Sequence, residues 1–181
     1  MNVQDTHVLL VDYQQHTLNK FDHIFLQHGA ITHHCHDRID AMGKLWELVK
    51  EGITPRAIVT NWILQDERAR AFYKAIKREV DMTSHNLLKN AIKMDPQYKT
   101  ILICYTEDPK EATVTLNASG LLDRVVVVNM NNTTVEELAQ ILMRDERIKI
   151  VEYFRQEVQT DTFKRAMVET LPISGAIEID E

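Results

Sequence analysis

The chain has 181 residues, 44% of them apolar, and a formal net charge of −6. This length suffices for one domain with its own hydrophobic core, and the acidic balance with scattered Lys and Arg argues against sequence-independent nucleic-acid binding. Two cysteines are too few for a disulfide framework, and no apolar run is long enough to span a membrane. We therefore expect a cytoplasmic protein with reduced thiols, which binds neither nucleic acid nor membranes.

Short apolar runs alternate with helical patterns along the chain. The runs are continuous rather than alternating, which is typical of strands buried on both faces of a parallel sheet. Apolar residues at helical spacing, with Gly or Pro stops, predict the helices between them. The predicted strands lie at about 6–12, 30–35, 56–61, 100–106 and 124–128, and the predicted helices at about 14–28, 38–51, 66–80, 84–95, 109–119 and 134–144.

This alternation of strands and helices predicts an α/β fold. Parallel strands joined by right-handed helical crossovers form a sheet with helices on both faces. Five such units fit a doubly wound, flavodoxin-like five-stranded sheet in the order 2-1-3-4-5. We assign this domain to residues 1–144. Residues 145–181 continue a helical pattern to about Glu169 and end in an acidic tail, which predicts a C-terminal helical extension.

The ends of the predicted strands carry the candidate site. In open α/β sheets, ligands bind just beyond the carboxyl ends of the strands. Asp12 ends the first strand, Asn61 the third and Thr106 the fourth. A carboxylate, an amide and a hydroxyl are thus expected at one edge of the sheet.

The order and spacing of these blocks resemble those of a response-regulator receiver domain over roughly residues 6–144. The resemblance lies in Val8-Leu-Leu-Val-Asp12, in the helix-to-strand passage from Leu48 to Asn61, in Ile101-Leu-Ile-Cys-Tyr-Thr106, and in Thr134-Val-Glu-Glu-Leu138 after the valine run. It implies the receiver fold, with the phosphorylation site at the strand ends. That chemistry uses an aspartate nucleophile, an acidic pair that holds Mg²⁺, a hydroxyl and a lysine, because the transferred phosphoryl group carries negative charge.

The matching positions in this chain depart from that set. Asp12 and Thr106 are present, but Tyr13 replaces the second acid and Asn61 stands at the phospho-acceptor position. The lysine position falls at about Asn129, and the chain has no lysine between Lys110 and Lys149. The resemblance therefore implies a degenerate, non-phosphorylatable pseudo-receiver. We predict a signalling or scaffold protein that uses no cofactor, is not an enzyme and acts through protein contacts.

The resemblance also implies where such contacts form. Receiver domains dimerise or dock through their fourth helix, fifth strand and fifth helix, which here correspond to residues 109–144. A long apolar stripe starts in this region and continues into the extension. It predicts an interaction face for a protein partner or for a homodimer through the C-terminal helices, formed by Val135, Leu138, Leu142, Val151, Phe154 and Val158.

A histidine-rich segment, His33-His-Cys-His36, stands out in the composition. Adjacent residues of a strand point to opposite faces, so His33 and His34 cannot share one ion, whereas His34 and His36 can. Structural zinc needs four ligands, and the segment offers this one pair. We predict no metal site, with His34 and His36 as the candidates if one exists.

An alternative reading is a small-molecule-binding protein that uses the crevice around Asp12. Leu9-Leu-Val-Asp12-Tyr-Gln14 and Leu102-Ile-Cys-Tyr-Thr106-Glu-Asp108 also resemble isochorismatase-like cysteine hydrolases. The nucleophilic cysteine of that family lies just past the equivalent Thr-Asp. This chain has Pro109 there and no cysteine, so the resemblance implies at most a degenerate hydrolase.

Overall fold

Five parallel strands form one sheet in the order β2-β1-β3-β4-β5. The structure is a computed structural model that describes residues 6–64, 83–95, 97 and 99–144. Its strands are β1 (Thr6–Val11), β2 (Ala30–Cys35), β3 (Ala57–Asn61), β4 (Ile101–Thr106) and β5 (Val125–Asn129). The predicted fold class and strand order are confirmed.

Five described helices connect and cover these strands. They are α1 (Gln15–Gln27), α2 (Arg38–Lys50), α3 (His85–Met94), α4 (Pro109–Ala118) and α5 (Val135–Arg144). The predicted helix at 66–80 and the extension at 145–181 lie outside the described residues. The predicted boundary between a domain and an extension therefore stays a prediction.

Local sequence explains where the helices begin and end. The Asp37 side chain accepts a hydrogen bond from the backbone N–H of Asp40 at 2.9 Å and caps α2. Thr134 and Glu137 bond each other's backbone N–H groups and form a capping box for α5. Gly29 and Gly52 follow α1 and α2 with φ of 81° and 74°, a backbone conformation that glycine adopts without strain.

The sheet separates two hydrophobic clusters. One lies between the sheet and helices α1 and α5, and includes Leu10, Phe21 and Leu138. The other lies between the opposite face of the sheet and helices α2, α3 and α4, and includes Trp62 and Leu87. Both faces of the sheet are thus covered, which explains why its strands are continuously apolar.

Candidate functional site

The strand register brings the predicted site residues to one edge of the sheet. Val11 of β1 is paired with Thr60 of β3, so Asp12 and Asn61 follow side by side. Asn61 is itself paired with Tyr105 of β4. The carboxyl ends of the three central strands therefore place a carboxylate, an amide and a phenol next to each other.

The Asp12 carboxylate is 1% exposed and is the centre of a hydrogen-bonded cluster. Its Oδ2 accepts a hydrogen bond from Asn61 Nδ2 at 3.1 Å and a second one from the Tyr105 hydroxyl. Its Oδ1 accepts the backbone N–H of Gln14 at 2.8 Å. Three donors thus surround the carboxylate, as a buried charge requires. We define Asp12, Asn61 and Tyr105 as the Asp12 cluster.

Tyr105 contributes a donor that stays protonated. Its ring is 5% exposed and stacks on Phe21 with 5.0 Å between ring centroids. Burial, and then the negative charge of Asp12, raise the pKa of the Tyr105 phenol above its ordinary value. The phenol is therefore a permanent donor to Asp12 at physiological pH.

Asn61 is held in one orientation within the cluster. Its Nδ2 donates to Asp12, and its Oδ1 accepts the backbone N–H of Ile63 at 3.1 Å. Both ends of the amide are therefore used to join the end of β3 to β1 and to the following loop. An amide in this position supplies no nucleophilic oxygen for a phosphoryl group and no negative charge for Mg²⁺.

The other predicted site residues are engaged in their own loops. Thr106 Oγ1 accepts the backbone N–H of Asp108 at 3.2 Å, and Asn129 Oδ1 accepts that of Asn131 at 3.0 Å. The Tyr13 hydroxyl accepts a hydrogen bond from Gln14 Nε2 at 2.6 Å. Of the five predicted pocket residues, the structure joins Asp12 and Asn61 directly, whereas these three shape the loops around them.

The histidines of β2 contact different partners on the two faces of the sheet. His33 Nε2 lies 2.9 Å from His7 Nδ1, and burial followed by the neighbouring His7 and Lys44 lowers the pKa of His33. On the other face, His34 Nε2 lies 3.1 Å from Asp22 Oδ1. Burial alone would raise the pKa of Asp22, but hydrogen bonds from Thr32 and His34 outweigh it and the pKa falls below its ordinary value.

The candidate metal pair is not assembled in the described structure. His34 is engaged with Asp22, and His36 is exposed. No group of three or more His, Cys, Asp or Glu side chains within the described ranges is arranged to hold a metal ion. Among the described helices, none is long and apolar enough to cross a membrane.

The described half of the predicted interaction face is part of the core. Val135, Leu138 and Leu142 are 2%, 0% and 0% exposed, and all three pack in the cluster between α5 and the sheet. These positions form the inward stripe of α5, so they are unavailable to a partner of the folded domain. The prediction that they belong to a contact surface is corrected accordingly. Val151, Phe154 and Val158 lie outside the described residues.

The sequence interpretation missed Tyr105 as part of the site. It treated this residue as one more member of an apolar strand ending at Thr106. A buried tyrosine hydroxyl normally finds a hydrogen-bond partner, so a tyrosine near a strand end was a usable signal. The partner itself depends on the pairing of Asn61 with Tyr105, which the sequence does not state.

Comparisons with solved structures agree with this fold. A CheY-like response regulator receiver domain from Methanospirillum hungatei is 13% identical, with a TM-score of 0.54 over 85% of this chain and 99% of that chain. The signal receiver domain of an HD domain-containing protein from Pseudomonas fluorescens is 18% identical, with a TM-score of 0.51 over 88% and 98%. A structure named adenylate cyclase from Rhodopirellula baltica is 11% identical, with a TM-score of 0.51 over 93% and 100%.

No family model matches the chain, and no curated protein matches it. At identities this low, structural likeness shows the fold alone. The strand order, the helices on both faces and the solved structures together establish that the chain has a receiver-like, flavodoxin-type fold.

Proposed function

We propose that this protein is a non-phosphorylatable, receiver-like signalling or scaffold module that acts through protein contacts in the cytoplasm. The observation that carries the proposal is the Asp12 cluster. Both oxygens of the carboxylate accept hydrogen bonds from protein donors. A Mg²⁺ ion needs these oxygens as ligands, and N–H and O–H groups directed at them oppose a cation.

Two further positions support the proposal. Asn61 occupies the place of the phospho-acceptor, and its amide is fixed by Asp12 and the backbone of Ile63. Asn129 ends β5, where the receiver pattern has a lysine, and its side chain bonds the following loop. Phosphoryl transfer to this site thus lacks its nucleophile, its metal ligands and the cation that neutralises the transferred group.

The test is incubation of the full chain with acetyl phosphate and Mg²⁺, followed by intact-mass measurement. We expect no mass gain, while an authentic receiver domain in the same reaction gains an acid-labile phosphoryl group. A phosphoryl group on the chain itself that is lost in acid would sink the proposal.

Asn61→Asp provides a matched variant, because it restores an acid at the acceptor position. It sets a second carboxylate against Asp12, at a contact that is 3.1 Å in the parent. Like charges this close destabilise the fold at neutral pH, by about 1–3 kcal/mol, and raise the pKa of one of the two carboxyl groups. The deficit should therefore shrink as the pH falls towards about 4, near the ordinary aspartate pKa.

Mg²⁺ should recover part of that stability in Asn61→Asp and leave the parent unchanged. The measurement is the melting temperature with and without Mg²⁺ at neutral pH. A parent protein that is stabilised by Mg²⁺ as strongly as the variant would show that the Asp12 cluster opens to bind a cation, against the proposal.

The protein contacts of this module are proposed for the part of the interaction face beyond α5. The core buries Val135, Leu138 and Leu142. The residues of the predicted interaction face that remain for a partner are Val151, Phe154 and Val158. We propose that these three residues provide the protein contact.

A further inference from the structure

Helix α2 carries apolar side chains on its outer surface. Ile39, Trp46 and Val49 are 77%, 54% and 44% exposed, and Met42, at helical spacing between them, is half-buried against the core. The inner side of the same helix, with Ala41, Leu45 and Leu48, is already buried in the core. We define Ile39, Met42, Trp46 and Val49 as the α2 stripe. An apolar row along an entire helix is more than the scattered exposed residues that most surfaces carry.

The α2 stripe leads into a cavity of about 140 Å³ at the amino edge of the sheet. Val49 belongs to both features. The cavity lies between the ends of α2 and α3 and the start of β3, and is lined mainly by apolar side chains, including Leu45, Ile53, Pro55, Ala91 and Met94. Stripe and cavity together form a continuous apolar surface on the α2 side of the domain.

The chain leaves the described structure close to this cavity. Helix α5 ends at the same edge, where Arg56 Nε donates to the carbonyl of Leu142 at 2.9 Å. Arg56 directly follows Pro55, which lines the cavity. The 37 residues from 145 to 181 therefore start at the same amino edge as the cavity, from a helix on the opposite face of the sheet.

The apolar residues of that segment match the α2 stripe in length. Ile148, Val151, Phe154 and Val158 span eleven positions, as do Ile39 to Val49, and eleven residues of helix extend about 16 Å. A tethered segment is also present at a high effective concentration, so modest apolar contacts suffice for it to dock.

We propose that the α2 stripe and its cavity form the docking surface for the chain's own C-terminal segment, residues 145–181. This inference rests on the proposed function and deepens it, because a segment docked there controls which apolar surface the module offers to a partner. The segment runs back along α2 from the amino edge, with the apolar side chains of residues 148–158 against Ile39, Trp46 and Val49.

Tryptophan fluorescence of the full chain tests this docking. The protein has two tryptophans, of which Trp62 is 1% exposed and Trp46 is 54% exposed. We expect acrylamide to quench the Trp46 emission weakly, because the segment shields the indole. The Trp46→Phe variant identifies the Trp46 part of the signal, and buried Trp62 serves as the internal reference.

Variants on the two surfaces sharpen the test. Val151→Asp combined with Phe154→Asp should raise the quenching constant of Trp46 severalfold, and Ile39→Asp should do the same from the domain side. Ile39 is 77% exposed, so its replacement leaves the core intact. Gln156→Asp, which introduces the same charge at a polar residue of the segment, is the matched control and should change nothing.

Two outcomes would overturn the proposal. One is Trp46 in the parent chain being quenched as fully as a free indole, with no effect of the Asp substitutions. The other is shielding that disappears on dilution, together with a dimer by light scattering, because a second copy of the chain would then cover the stripe. Neither outcome bears on phosphoryl transfer at Asn61, so the two proposals fail separately.

Discussion

Asp12 is a buried charge whose two oxygens are satisfied by Asn61, Tyr105 and the backbone of Gln14. Such a group is costly to remove, because all three of its donors then lose their acceptor. The Asp12 cluster ties β1 to β3 and β4 at the edge where a receiver would carry out its chemistry. At this scale, the Asp12 cluster is a buried set of hydrogen bonds that joins three neighbouring strands.

Asp12→Ala should lower the free energy of unfolding by about 2–3 kcal/mol, and Tyr105→Phe by about 1–2 kcal/mol. The first change removes the acceptor of three hydrogen bonds, and the second removes one donor. Urea denaturation measures both. A double variant whose loss is smaller than the sum of the single losses would show that the residues act as one unit.

Asn117→Ala is the matched control, because Asn117 is an exposed residue of α4. It should change the stability by no more than about 0.5 kcal/mol. If the stability change of Asp12→Ala also stays within that range, Asp12 does not hold the three strands together.

At the scale of elements, β2 depends on the protonation of its histidines. His33 and His7 share one hydrogen bond between ring nitrogens, in which one ring donates and the other accepts. Protonating both rings would set two cations together and break this bond. The charges of Lys44 and Glu47 on α2, and of Glu51 just after it, also act on His33.

The pKa of His33 lies below its ordinary value of 6.5, so the unfolded chain binds more protons than the folded one in this range. Stability is therefore complete above about pH 6.5 and falls as the pH drops through and below it. His33→Gln should flatten the melting temperature between about pH 5 and pH 8. His36→Gln, an exposed replacement, should keep the slope of the parent.

The lowered pKa of Asp22 affects the stability of the protein in a separate, more acidic pH range. Its contribution to stability is present above the ordinary value of 3.8 and is lost as the pH falls through the lower folded value.

A parent protein whose melting temperature stays constant between about pH 5 and pH 8 would contradict the role given to His33.

Helix α5 shows that an apolar stripe does not by itself indicate a surface that contacts another protein. Leu138→Ala should lower the free energy of unfolding by about 2–4 kcal/mol, because this fully buried side chain leaves a cavity against the sheet. Val114→Ala, on the exposed side of α4 at 68% exposure, should cost about 0.5 kcal/mol or less. If Leu138→Ala keeps the stability of the parent but changes the oligomeric state, Leu138 lies in an interface between proteins and not in the core.

At the scale of the whole molecule, the two thiols report on different parts of the sheet. Cys35 lies at the end of edge strand β2 and Cys104 within central strand β4, and both are 0% exposed. Burial raises the pKa of each thiol to about 12, so neither is a reactive thiolate at neutral pH.

We expect neither thiol of the native chain to react with a disulfide reagent at about pH 8, and both to react in urea. Cys104 should be modified only at the rate of global unfolding, whereas Cys35 can also react when the edge strand opens locally. Mass spectrometry of the two labelled peptides measures both rates. Faster modification of Cys104 than of Cys35 would contradict the placement of β4 inside the sheet, between β3 and β5.

Much of this fold could be predicted because its signals are local. The continuous apolar runs, the cap at Asp37 and the stops at Gly29 and Gly52 indicate buried strands and bounded helices. Strands that alternate with helices are then joined by right-handed crossovers, which allow only a few topologies for the sheet. The position of Asp12 and Asn61 at one edge of the sheet follows from that topology.

From the sequence alone, the element order, the parallel sheet and the positions of Asn61 and Asn129 at two strand ends could be predicted. The folded structure was needed to show which groups meet: Tyr105 with Asp12, His33 with His7, and the α5 stripe with the sheet. The reason is that helices and caps depend on neighbours a few residues apart, whereas these contacts depend on strand register and on which face is covered. Strand register, and the packing of helices on each face, exist only once the sheet has assembled.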